Sequence, residues 1–213
     1  MKDIKLKLSS AIISDVLEEM GFLNQMLSIK IKPNFIDAKI FGKARIITLK
    51  KLEKREDYSK VYKGLYFIES MNKGDLLIVA NAFDNCAFFG ELMSTLARYK
   101  GIEGVIIDGC TRDKLETIKM NYPIFSKDNI ARDIKNRGVV DKIDLINAKV
   151  GGVIINKGDY LFGDLDGVVV IPYKIREEVI LKSFKKVNLE SKIKKSLKLG
   201  VSTKKLFKDF GEF

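Results

Sequence analysis

Apolar runs alternate with amphipathic stretches along this chain, and their periods predict a sheet protein with helices at both ends. Ile12, Ile13, Val16, Leu17 and Met20 recur at helical spacing behind Ser9 and Ser10, and Gly21 ends that helix. Ala38 to Leu49 reads as a strand interrupted by Gly42, and residues 52–62 as a polar helix or loop. The turn Lys73-Gly74-Asp75 launches Leu76 to Ala80, a continuous apolar run of the kind buried on both faces of a sheet. Gly90 precedes a helix from Glu91 to Lys100, with Leu92, Met93, Leu96 and Ala97 on its buried side and Gly101 as its C-cap.

Gly104 to Ile107 is a further strand, and Asp108-Gly109 reads as a turn. Thr111 to Asp113 open a short helix that carries Leu115 and Ile118. Pro123 to Phe125 is a short strand before a polar stretch to Gly138. Val139 to Ile155 suits strands around a Gly151-Gly152 break. Lys157-Gly158-Asp159 repeats the earlier turn, and Gly163-Asp164-Leu165-Asp166-Gly167 is an acidic turn before the strand Gly167 to Pro172. Ile175, Val179, Phe184, Val187, Ile193 and Leu197 then follow at helical spacing. The expected class is α/β or α+β with a mixed sheet.

At 213 residues one domain is the expectation, spanning 1–200 with a basic tail over 201–213. No apolar run approaches a membrane span and no signal peptide is visible, so a cytoplasmic protein is expected. The chain has no histidine, which removes every His-dependent triad and imidazole-bound zinc site. Catalysis would then rest on carboxylates, Lys, Arg, Tyr, Cys, backbone amides or a hard metal such as magnesium or manganese. The net charge is +11, and residues 174–213 carry twelve Lys or Arg against five Asp or Glu. A solvated helix face explains that excess better than nucleic-acid binding, because no interleaved Gly and aromatic motif accompanies it.

Glu91 and Arg112-Asp113 lie one helix plus one strand apart, which returns them to the same rim of a parallel sheet. The rim at the carboxyl ends of the strands is where α/β ligands sit. Amides of Leu92 and Met93 behind Gly90 can hold a carboxylate. Arg112 can stabilise an oxyanion, and Asp113 and Glu91 offer hard oxygens. A purely structural reading is equally open. Asp113 with Glu116 matches a helix-capping pattern, Glu91 suits a helix dipole, and Arg112 could be a surface cation. Cys110 reads as a buried thiol in preference to an activated one. Asp164 and Asp166 read as turn residues in preference to calcium ligands.

Gly90-Glu91-Leu92, Ala97, Gly101, Gly104, Asp108-Gly109 and Arg112-Asp113 together resemble the signature of the RraA-like family. That family joins 4-hydroxy-4-methyl-2-oxoglutarate aldolases to regulators of ribonuclease E. The segment Ser10 to Leu17 with Gly21 is similar to the family's first helix. Asn156 to Asp159 and Asp164 to Pro172 are similar to its late strand pair, so the likeness runs in patches over roughly residues 8–200. The resemblance implies a compact αββα-type sandwich, a homotrimer or hexamer, and sites at subunit interfaces. It implies a magnesium- or manganese-dependent pyruvate aldolase that also decarboxylates oxaloacetate. Arg112 would be catalytic, Asp113 the metal ligand, Glu91 the upstream acid, and Gly90, Leu92 and Met93 the carboxylate grip. A glutamate from the neighbouring subunit's C-terminal helix is assigned to Glu190. Ser126-Lys127-Asp128 replace the family's small residue and glycine after the Pro-x-Phe strand. Regulator members tend to lack the Arg-Asp pair that this chain keeps, so an enzyme is favoured over a partner of an RNA-processing enzyme. A lysine Schiff-base aldolase is the remaining enzymatic rival.

Overall fold

A computed structural model gives the fold of residues 2–54 and 57–210. Helices α1 (Lys2–Lys7) and α2 (Ser10–Glu19) precede strands β1 (Lys32–Pro33) and β2 (Ile40–Lys51). A 3-10 turn at Tyr58–Tyr62 leads into α3 (Lys63–Ser70), then β3 (Asp75–Ala80), β4 (Ala87–Phe89) and α4 (Glu91–Tyr99). Next come β5 (Gly104–Thr111), α5 (Lys114–Lys119), β6 (Ile124–Asn129) and β7 (Gly138–Ile143). The chain finishes with β8 (Asn147–Val150), β9 (Val153–Asn156), β10 (Tyr160–Gly163), β11 (Val168–Ile171), α6 (Arg176–Lys198) and α7 (Thr203–Phe210). This is the expected mixed α/β class with helices at both ends.

The main sheet runs β1-β6-β5-β3-β2-β10-β11, with β4 added to β5 and β7 to β2. Strands β2, β3, β5 and β6 are parallel to one another, while β1, β7, β10 and β11 pair antiparallel to their neighbours. β2 holds the centre because it is long: Lys43 to Thr48 pair with β3 along one edge. Its other edge is shared between β10 at Ile40 to Lys43 and β7 at Ile47 to Lys51. Every residue of β3 is buried, as its continuous apolar run predicts for a parallel strand covered on both faces.

Strand alternation divides that burial. Leu76, Ile78 and Ala80 face a core shared with Ile46, Ile106, Phe125, Leu161 and the β8–β9 hairpin. Leu77 and Val79 face a second core with Phe67 and Ile68 of α3 and Ala97 of α4. A third cluster joins Ile13, Val16 and Leu17 of α2 to Phe41, Phe162, Val169 and Val179.

Two local expectations are corrected. Asp108-Gly109 is not a turn; β5 continues through it to Thr111, with its register to β6 broken between Ile107 and Cys110. The reason is tertiary. The Asp108 carboxylate accepts the Gly151 N–H at 2.9 Å and pairs with Lys127 at 3.0 Å. At Gly109 a β-carbon would lie 2.7 Å from the Phe83 carbonyl oxygen, so the close-packed 82–83 segment needs glycine there. The second correction is α3, a helix that the weak pattern beyond residue 62 does not announce. Its Gly64 lies against the Phe88 ring, where a β-carbon would come within 2.5 Å.

The acidic turn is structural, as expected, and also anchors a helix. Asp164 is 6% exposed and accepts from the Ser10 N–H at 2.9 Å, the Ser10 hydroxyl at 2.6 Å and the Asp166 N–H at 3.1 Å. It thereby holds the start of α2 to the β10–β11 turn. Asp164→Ala should lower stability by about 2–4 kcal/mol, because buried donors on Ser10 lose a charged acceptor. Urea denaturation checks this, and a loss under about 0.5 kcal/mol would contradict the anchor.

Candidate functional site

β4, α4 and β5 form a parallel βαβ unit, so the start of α4 and the end of β5 reach the same rim. Two hydrogen bonds lock them together: the Arg112 N–H donates to the Phe89 carbonyl at 3.1 Å, and the Thr111 hydroxyl donates to the same oxygen at 2.7 Å. Arg112 and Asp113 follow the last residue of β5. Asp113 stands in the left-handed region at φ 56°, where aspartate is tolerated more readily than most residues.

This conformation turns the carboxylate away from its own helix. Asp113 makes no side-chain cap to α5, although the Glu116 spacing allows one. Its Oδ2 instead accepts the Glu91 N–H at 3.0 Å, capping α4 across 22 residues of sequence. The same oxygen lies 3.6 Å from Arg112 Nε. Gly90 makes the approach possible. A β-carbon at residue 90 would lie 2.4 Å from Asp113 Oδ2 and 2.9 Å from the Arg112 γ-carbon. The backbone there is extended, so the glycine is needed for space and not for its torsion angles.

The expected residues are therefore brought together in part. Gly90, Glu91, Arg112 and Asp113 converge, and the amides of Leu92 and Met93 stand in the first turn of α4 with no acceptor among the described residues. The Glu91 side chain is exposed, and so is Leu92, which corrects the expected buried stripe because the first turn of α4 projects from the rim; Met93 is half-buried against the outer core. Glu190 is elsewhere in the same chain. It sits on α6, pairs with Lys194 at 2.8 Å, and lines a groove with Asp15, Lys186 and Ile193.

A cavity of about 260 Å³ opens beside the pair, lined by Arg112, Asp113, Asn129, Ile130 and Ala131. The 129–133 segment carries the residues that sequence reasoning missed. Asn129 contributes a buried Oδ1 with no hydrogen-bond partner, and Asp133 takes a close ion pair from Arg112 Nη1. The stretch has no hydrophobic period, and its only local signal is that Asp133 suits a turn. Lys127 reaches Asp84 at 3.3 Å and Asp108 at 3.0 Å and does not line this cavity. Cys110 is buried, donates to the Asp84 carbonyl at 3.3 Å, and burial pushes its thiol above the usual range. It is an inert thiol at neutral pH.

Among the described residues no three Asp, Glu, Cys or His side chains gather in a ready-made metal cage. A single carboxylate still suits magnesium, which takes one or two protein oxygens and fills its shell with water and substrate. Asp113 offers that donor, since among the described residues both side-chain contacts fall on Oδ2 and leave Oδ1 unengaged.

The Arg-Asp pair thus stands on a parallel βαβ rim behind a glycine-led helix start. The chain belongs to the RraA-like family (Aldolase/RraA), whose model matches residues 10–170. A protein of Halalkalibacterium halodurans named "Putative 4-hydroxy-4-methyl-2-oxoglutarate aldolase" is 33% identical over 82% of this chain and 77% of its own length. Protein DlpA of Legionella pneumophila is 29% identical over 95% of this chain, which spans only 32% of that longer protein. Among solved structures, an uncharacterised Pseudomonas syringae pv. tomato protein superimposes with a TM-score of 0.85 at 25% identity, covering 98% of this chain and 92% of its own. Streptomyces coelicolor RraAS2, described as an unusual member of the RNase ES inhibitor RraA protein family, gives 0.77 at 25% identity, covering 91% and 95%. No helix among the described residues is long and apolar enough to cross a membrane.

Gly90→Ala should displace Asp113 from the Glu91 amide while leaving the sheet intact. The amide signal of Glu91 should shift in a ¹⁵N-resolved NMR spectrum and its exchange with solvent should quicken. An unmoved Glu91 resonance would show that the contact does not depend on the missing side chain.

Proposed function

We propose that this chain is a divalent-metal-dependent lyase of 2-oxo acids. It would cleave 4-hydroxy-4-methyl-2-oxoglutarate-like 4-hydroxy-2-oxo acids to pyruvate and also decarboxylate oxaloacetate. The observation that carries this reading is that Arg112 and Asp113 line one cavity while Asp113 also accepts the Glu91 N–H at the start of α4. The aldolase name borne by the Halalkalibacterium relative supports the same reaction class.

Magnesium or manganese held by Asp113 would supply Lewis acidity toward the keto oxygen. The residues do the rest. The Leu92 and Met93 amides, at the positive end of α4, bind the substrate carboxylate. Arg112 stabilises the negative charge that gathers on the enolate oxygen as the carbon–carbon bond breaks. Glu91, or Glu190 supplied by a neighbouring subunit of a trimer or hexamer, orders the water that takes the substrate hydroxyl proton. Return of a proton to the enolate carbon yields pyruvate.

The imine alternative has less support. Among the described residues no lysine lines the cavity. Burial would lower the Lys127 pKa, but its bonds to Asp108 and Asp84 outweigh that and hold it raised. Imine chemistry needs the opposite, a lysine with a depressed pKa. The non-catalytic reading, a regulator docking on an RNA-processing enzyme, rests on the RraAS2 likeness and gives the Arg-Asp pair no task.

A coupled pyruvate-release assay on oxaloacetate and 4-hydroxy-4-methyl-2-oxoglutarate tests the proposal. EDTA should abolish turnover and added Mg²⁺ or Mn²⁺ restore it. Arg112→Ala should lower kcat by about 10²–10³-fold with metal binding retained, the size expected when an oxyanion donor is lost. EDTA-insensitive turnover would indicate imine chemistry, and normal turnover by Arg112→Ala would remove the assigned role.

A further inference from the structure

The proposed roles do not by themselves fix the orientation of the Arg112 guanidinium. Its side chain is about one-third exposed, and a guanidinium on a flexible stem can present any of its edges to a ligand. Two of those edges are taken. Nε faces Asp113 Oδ2 at 3.6 Å, and Nη1 donates to Asp133 Oδ2 in a close ion pair. Nη2 has no partner among the described residues.

Asp133 is itself held fast, which separates it from an ordinary surface counter-ion. Its Oδ1 accepts the Lys135 N–H at 2.6 Å, closing a local turn, and its carbonyl accepts from Arg137 Nη1 at 3.2 Å. On either side of it, the Ala87 N–H donates to the Arg132 carbonyl at 2.8 Å and the Ile134 N–H to the Ala87 carbonyl at 3.0 Å. Ala87 opens β4, the strand that leads through Phe89 and Gly90 into α4. One carboxylate oxygen thus closes the local turn, while the backbone on either side of Asp133 is bound to the strand that leads into α4. The other carboxylate oxygen is spent on Arg112.

We propose that Asp133 is a positioning residue for Arg112. It fixes the rotation of the guanidinium so that the Nη2 edge, and no other, is presented to the oxyanion. This rests on the lyase reading for its kinetic consequence, but its structural content stands without it. A misdirected donor costs chiefly in the transition state, so the loss belongs in kcat and not in KM. Asp133→Asn separates this role from loop maintenance. An amide oxygen can still accept the Lys135 N–H and close the turn, while the charge facing Arg112 is gone.

The test combines two readouts on Asp133→Asn and Asp133→Ala, with thermal unfolding as the fold control. The first is the side-chain ¹⁵N NMR signal set of Arg112, in which slow rotation of the guanidinium separates the two Nη groups. Separate Nη signals in the wild type that merge in both variants support positioning. Unchanged signals overturn it. The second is pyruvate release from oxaloacetate with Mg²⁺. In Asp133→Asn, kcat should fall about 10-fold, with a larger fall in Asp133→Ala, while KM stays within about threefold. Equal kcat in wild type and Asp133→Asn, with unfolding unchanged, overturns the proposal, as does a change confined to KM. If the wild type releases no pyruvate, the lyase reading fails and the NMR arm alone decides on Asp133.

Discussion

One contact organises this rim: the Asp113 carboxylate against the Glu91 amide, made possible because residue 90 lacks a side chain. The hydrogen bond joins the end of one strand to the start of the helix before it, with the crossover α4 between them. The helix gains a charged acceptor for one of its orphan donors, and the acid is kept beside the guanidinium. Capping and site-building are usually weighed as rival explanations for a carboxylate near a helix. Here the cap is on a different helix from the one the sequence spacing indicates, and that displacement is what assembles the site.

The sheet makes the contact reproducible. β5 is flanked by β3, β6 and β4, all parallel to it, so its carboxyl end is fixed on more than one side. The register break after Ile107 carries the strand past Asp108 and Gly109 and sets where Arg112 emerges. Asp108 draws the Gly151 amide onto this strand, and Lys127 of β6 closes on it from the neighbouring edge. Exposed ion pairs contribute little to stability. The pairs of Arg112 with Asp113 and Asp133 are of that partly exposed kind, so their value lies in direction more than in energy.

Much of this was legible in the chain, and the losses have physical reasons. β3 and α4 were readable because burial on both faces and a one-sided stripe leave strong periods. The convergence of Glu91 with Arg112-Asp113 followed from the length of one helix plus one strand. Asp108-Gly109 misled because a local turn preference was overridden by contacts from Gly151, Lys127 and Phe83, all distant in sequence. α3 was missed because its opening residues include a glycine whose reason is the Phe88 ring. Asp133 was invisible for a further reason: a carboxylate in an aperiodic polar stretch acquires meaning only when a β4 contact brings it to Arg112. Glu190 shows the same limit from the other side, since one chain places it on α6 with Lys194, apart from the cavity.

The rim mixes acidic and basic groups, whereas the C-terminal stretch of the chain is dominantly basic. The chain carries +11, with a dense basic C-terminal stretch, while at the candidate site Asp113 and Asp133 face Arg112, and Arg137 reaches the Asp133 carbonyl. A surface built for nucleic acid would concentrate positive charge where contact occurs. This rim instead pairs carboxylates with a guanidinium, and a carboxylate attracts a divalent cation. On the proposed lyase reading, a divalent ion on Asp113 would offset negative charge beside the place where a 2-oxo acid would bind. On that account the acidic residues around Arg112 do not oppose its role with an anion. On the proposed reading they would make anion binding depend on a cation, and they leave the guanidinium, already held by two carboxylates, with its Nη2 edge open among the described residues.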